Sequence, residues 1–122
     1  MTLDLSTMNT SELVSRFATI TLAQDSALLA NDHRKYRRLF EAMMDVSNEL
    51  RQRPGDQRRE LAQLFDYPNM QVRVKAAIHA LAVLPEESRN QLQTIAEAHW
   101  FPQTADAIGM LRALDAGEYK PE

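Results

Sequence analysis

His33, His79 and His99 are the residues of this chain best suited to hold a metal ion or move a proton near neutral pH. On a helix, a metal pair needs its second ligand three or four residues away, so that both side chains leave one face. None of the three histidines has Asp, Glu or His at that spacing. His99 falls on an apolar stripe with Leu92, Ile95 and Ala96, which reads as a hydrogen-bonded core histidine, and His79 sits beside Lys75 on an exposed edge. Cys is absent, which removes thiolate ligands, cysteine nucleophiles and disulfides and allows a reducing compartment. There is no Gly-rich phosphate loop, no nucleophile elbow and no His-Glu-x-x-His pair, and the three glycines are Gly55, Gly109 and Gly117. The expectation is a non-enzymatic protein with no catalytic residue, cofactor or metal.

Binding chemistry is better represented. Arg34, Lys35, Arg37 and Arg38 cluster around Tyr36 and form one candidate interaction surface. The bland reading is a solvated helix face, since Arg37 and Glu41, and Glu49 and Arg53, stand at ion-pair spacing. An acidic protein partner is the sharper one, and nucleic acid is a third. Leu22 and Leu29, with Ala18, form a second stripe on the first helix nearly opposite its main apolar face. Leu3 and Leu5 could cover that stripe; otherwise it is a contact for a partner or a second copy in a homodimer. Arg73 points into an apolar arc, where an unpaired guanidinium is costly, so a structural brace to Asp66, Asn69 or an acid of a neighbouring unit is expected, with ligand binding as the alternative. The six methionines read as adaptable core filler.

A net charge of −3 gives no general footprint for nucleic acid, whose binding depends on neutralising phosphates. The charges are unevenly spread. His33 to Arg59 holds eight Arg/Lys against four acids, whereas Glu86 to Glu122 holds seven acids against three bases. No window reaches the uninterrupted apolar run of about 18 residues that a membrane span requires, and the first nine residues lack a basic run before an apolar core. A cytoplasmic protein that avoids membranes is expected.

The elements that must position these residues are helical. Apolar residues recur at three- and four-residue spacing, and no long alternating run competes. The first helix is expected from Thr10 to Ala30, capped by Asn9 or Thr10, with Leu13, Val14, Phe17, Ile20 and Leu28 inward. A second, from Asp32 to Arg53, turns Tyr36, Leu39, Phe40, Met43, Val46 and Leu50 to one side and stops at Pro54-Gly55. A short third helix opens at Asp56 and packs Leu61, Leu64 and Phe65. The fourth, Met70 to Leu84, is apolar around most of its circumference and should be central. The fifth opens at Pro85, runs to Phe101 and packs Leu92, Ile95, Ala96 and Trp100. The sixth, Gln103 to Asp115, uses Ala107, Ile108, Leu111 and Leu114, with Gly109 admitting a close neighbour.

A shift of 30 positions carries Ala77, Ile78, Leu81 and Leu84 onto Ala107, Ile108, Leu111 and Leu114. That is a two-copy repeat, and such units hide their apolar faces by stacking. The run Leu-x-x-Leu-Phe-Asp-Tyr-Pro-Asn-x-x-Val-Arg-x-x-Ala-Ala-x-x-Ala-Leu, from Leu61 to Leu81, resembles a HEAT repeat. Phe101-Pro102 and Thr104-Ala105 replace its Val-Arg pair in the second copy, so the Asp/Arg ladder of long HEAT arrays cannot propagate. From Ser11-Glu12-Leu13-Val14 to Gly117-Glu118-Tyr119, the chain is similar to a family of small uncharacterised bacterial HEAT-like proteins, a domain of unknown function. Length fits a single domain and periodicity gives an all-α class of six helices; the resemblance adds their arrangement, a short HEAT-like α-α superhelix in three antiparallel pairs. Its parts would be an arm (1–9), a first pair (10–53), a HEAT-like pair (56–84), a degenerate pair (85–116) and a tail (117–122).

A protein-interaction module of the adaptor or immunity type is the expected function, by analogy of fold. The alternative is a nucleic-acid-binding or nucleic-acid-processing HEAT-like domain, for which Trp100, Tyr67 and Phe101 would supply the aromatic surface.

Overall fold

Local chemistry sets where the helices begin. In the computed structural model, which describes residues 4–122, Asn9 accepts the Glu12 N–H at 2.8 Å while Glu12 Oε1 accepts the Asn9 N–H at 3.0 Å. This reciprocal pair satisfies two donors that a helix start leaves open. It opens α1, Thr10–Leu29. Asp32 likewise accepts the Lys35 N–H at 3.1 Å and opens α2, His33–Gln52. The two helices pack on each other, burying Leu13, Val14, Phe17, Ile20 and Ala27 from α1 and Met43, Val46 and Leu50 from α2. Four expected core positions depart from this: Leu28 and Phe40 are exposed, and Tyr36 and Leu39 are only half-buried. The first two turns of α2 carry four cations whose hydration holds that end in water, so its buried residues begin at Met43. Ala18, assigned to the outer stripe, is buried, and Leu3 lies outside the described residues.

The chain divides into two compact units, the first ending at Glu60 and the second covering Leu61–Glu122. Near that division the expected third α-helix is a 3-10 segment, Gln57–Leu64. An α-helix is cooperative and gains little over so few residues between the Gly55 turn and Tyr67-Pro68. The tighter winding advances about 2.0 Å per residue instead of about 1.5 Å, so the same residues cover more distance.

In the second unit, Asn69 accepts the Gln71 and Val72 N–H groups and opens α3, Met70–Ala80. Pro85 stands at the first position of α4, Pro85–Ala96, where its missing N–H leaves no bond unmade. Helix α5, Gln103–Asp115, completes the unit, and each of the three helices packs on the other two. Val72, Val74, Ala76, Ala77 and Ala80 are all buried, so α3 is covered around most of its circumference, as its apolar composition leads one to expect. The core joins Val74, Ala77 and Leu81 to Leu92, Ile95 and Ala107, with Ile78, Leu111 and Leu114 packed against it. The two alanines related by the 30-residue shift thus meet in one core. Between α3 and α5, Gln103 Nε2 donates to Gln71 Oε1 at 3.0 Å, both side chains being almost wholly buried.

Two helices stop early. α3 ends at Ala80 rather than Leu84, and the Leu84 N–H closes back on the Ala80 carbonyl. α4 ends at Ala96 rather than Phe101. Every regular element among the described residues is helical and none is a strand; no helix is long and apolar enough to cross a membrane.

Candidate interaction surfaces

The basic cluster lies in the first two turns of α2, and Arg34, Lys35, Arg37 and Arg38 are all exposed. Of the two expected ion pairs on this helix, Arg53 and Glu49 meet at 3.0 Å, whereas Arg37 and Glu41 form none among the described residues. The four cations are therefore held in place by a capped helix and remain open to solvent. On α1, Leu22 and Leu29 are exposed as expected, and Leu28 joins them. Leu29 is 83% exposed, an unusual state for a leucine on a rigid helix.

Arg73 behaves differently from its assigned role. Asn69 directs its side-chain oxygen to the N–H groups that open α3, Asp66 is exposed, and Arg73 Nε is buried with no hydrogen-bond partner. The guanidinium that is both buried and paired with a carboxylate lies elsewhere, at Arg58 and Asp56, which were not expected as a brace. Arg58, 9% exposed, grips Asp56 in a fork, with Nε to Oδ1 at 2.9 Å and a terminal nitrogen to Oδ2 at 2.7 Å. That bonding holds the Asp56 carboxyl below the ordinary carboxylate range. Asp56 also turns the chain at φ +51°, next to Gly55 at φ +81°. A polar residue followed two positions later by Arg was the only signal in the sequence, and it is too common to single out. Thr10, Pro54, Gly55, Gln57, Arg59 and Glu60 line an open cleft of about 510 Å³ beside this turn. Arg59 Nε there donates to the Gly55 and Asp56 carbonyls, which bends its side chain back over the turn.

The largest departure from expectation follows α4. His99, Trp100 and Phe101 were placed on a buried helical stripe or its end, yet all three are exposed. The cause is Thr104, itself 1% exposed. Its hydroxyl donates to the Ile95 carbonyl at 2.8 Å and accepts the Trp100 N–H at 2.9 Å, so the chain leaves the helix at Ala96 and reverses through His99 at φ +55°. Trp100 and Phe101 are 61% and 64% exposed at the tip, whereas Tyr67 is half-buried. Beyond this turn, on α5, partial burial pushes the Asp106 carboxyl above its ordinary range, with Lys75 acting in the opposite sense. Gly109, expected at a close helix approach, faces open space: a methyl group there would meet nothing within 4 Å. No group of three or more metal-ligating side chains occurs among the described residues.

These surfaces offer contacts: a cationic helix face, exposed leucines, and two aromatic rings on a pinned turn. A protein-family model described as a domain of unknown function (DUF2019) matches residues 11–115. No curated protein gives a significant match. Among solved structures, the crystal structure of the protein RPA1889 from Rhodopseudomonas palustris is similar over 99% of this chain and 100% of that one, at 49% identity and a TM-score of 0.96.

Proposed function

The chain belongs to the family described as a domain of unknown function (DUF2019), and from that premise we propose that it is a non-enzymatic protein-interaction module of the adaptor or immunity type. The observation that carries this reading is the exposure of Leu29 at 83%, with Leu22 and Leu28 also exposed on α1 and exposed cations following at the start of α2. Apolar side chains held outward on rigid, capped helices cost solubility unless something covers them. A charged rim beside such a patch sets partner choice and association rate. In this reading the architecture is a short HEAT-like stack. Support comes from the three residues that join α1 to α2, too few for anything but a tight reversal between two packed helices, and from the shared core of the repeat-related alanines.

Affinity capture from the source cell tests the function. The wild-type chain is expected to retain a specific protein, and a Leu22→Glu/Leu29→Glu variant with unchanged circular dichroism is expected to lose it. Retention of nothing by the wild type, or of the same protein by the variant, counts against the reading. Capture of nucleic acid that fades with added salt would favour the alternative instead.

A further inference from the structure

Trp100 and Phe101 are presented by a turn whose backbone is tied down three times. Thr104 N–H donates to the Trp100 carbonyl at 2.8 Å, and its hydroxyl makes the bonds to Trp100 N–H and the Ile95 carbonyl described above. Rings displayed on such a support lose little freedom when covered, and Trp is the residue type most enriched where binding energy concentrates. The charge around them narrows what covers them. From Asn90 to Leu111 the chain has no Arg or Lys, while Glu97 and Asp106 are both exposed; Lys75 of α3 acts on Asp106, and two acids against one cation leave the surroundings negative. Phosphates would be repelled there, so a nucleic acid or an anionic lipid surface fits poorly. A surface of apolar side chains beside cations fits well.

The same chain carries such a surface. At the end of α1, Leu28 and Leu29 are exposed, and Arg34, Lys35, Arg37 and Arg38 follow within two turns of α2 with no ion pair among the described residues. Here the apolar groups have a cationic rim, where the aromatic turn has an acidic one. We propose that a second copy of this chain is the occupant, with the Trp100–Phe101 turn of one copy docking on the leucine-and-cation corner of another. This rests on the interaction-module reading and names its partner. Two unlike patches meet, so the contact is head-to-tail and each docked pair keeps one free patch of each kind, which lets further copies add.

Trp100 is the chain's only Trp, so its emission reports its own burial. Sedimentation velocity and fluorescence on the full chain, from about 1 to about 500 μM, are expected to show a rising mass together with a blue shift, both reversed by salt. Trp100→Ala and Arg37→Glu/Arg38→Glu are each expected to stay monomeric with wild-type circular dichroism. Mixed in equal amounts, they should form a two-copy species, because the first retains the cationic corner and the second the aromatic turn. Emission in that mixture should shift to the blue. A wild-type chain that stays monomeric with constant emission overturns the proposal, as does a mixture of folded variants that fails to associate, or association that survives Trp100→Ala. If copies stay apart while the capture experiment still retains a protein through Leu22 and Leu29, the interaction module stands and the second copy falls.

Discussion

Asp56 and Arg58 show how two neighbouring residues can serve both backbone and charge. The aspartate adopts a left-handed conformation that Asp and Asn tolerate better than most residues, and from there its carboxylate meets a guanidinium that is almost buried. Asp56→Asn keeps the backbone preference and removes the charge, so denaturation at pH 7 should show a loss of about 1–3 kcal/mol. The pH dependence follows from the depressed folded-state pKa. The pair's contribution is fully present above the unfolded value of about 3.9 and disappears as pH falls through the lower folded value. The wild-type advantage over the variant should therefore be flat from pH 5 upward and shrink below about pH 4. Gly109 is the opposite case, a helix-interior glycine with open space where a side chain would go. Gly109→Ala should stabilise the protein by about 0.5–1 kcal/mol in the same assay; a loss would mean that the position has a neighbour.

At the scale of elements, helix starts were legible in the sequence and two of the stops were not. Asn9 with Glu12, and Asp32, bind N–H groups within their own first turn, and Pro85 fits a first turn because it has no N–H to satisfy, so the local sequence holds the whole cause. The end of α4 depends on Thr104, nine residues beyond Ile95, while Ala96-Glu97-Ala98 would continue a helix by propensity. Trp100 and His99 were misplaced for that reason alone: extending the helical period past its true end turned an outward loop into an inward stripe. The segment Gln57–Leu64 was legible as helical but not as 3-10, because the same residues support either winding. Thr104→Val removes the hydroxyl at nearly constant volume. It should cost about 1–3 kcal/mol by leaving the Trp100 N–H unpaired, while the Ile95 carbonyl keeps the Ala98 N–H. It should also raise the mobility of Trp100, read as lower fluorescence anisotropy. Unchanged anisotropy would show that the turn is held by other contacts.

For the molecule as a whole, the all-α class followed from periodicity, and the core of the second unit followed from the repeat, since Ala77, Leu81, Leu92, Ile95 and Ala107 were all assigned inward. The candidate surfaces were half legible. The cations of α2 and the outward Leu22 and Leu29 of α1 are simple consequences of helical spacing, whereas the exposure of Leu28, the aromatic turn and the Asp56–Arg58 fork are not. With an isoelectric point near 5.6 and cations concentrated in one stretch, the chain's solubility should pass through a minimum around that pH, seen as a maximum in light scattering. The buried amides of Gln71 and Gln103 bear on how many structures the chain can choose between. Leucines at both positions would remove polar atoms from the interior, but they would slide past one another with little penalty, whereas the bond between the two amides forms in one alignment only. The double variant is expected to melt higher yet give doubled backbone resonances for α3 and α5. The glutamines act as a locating key, trading some thermal resistance for an unambiguous native state.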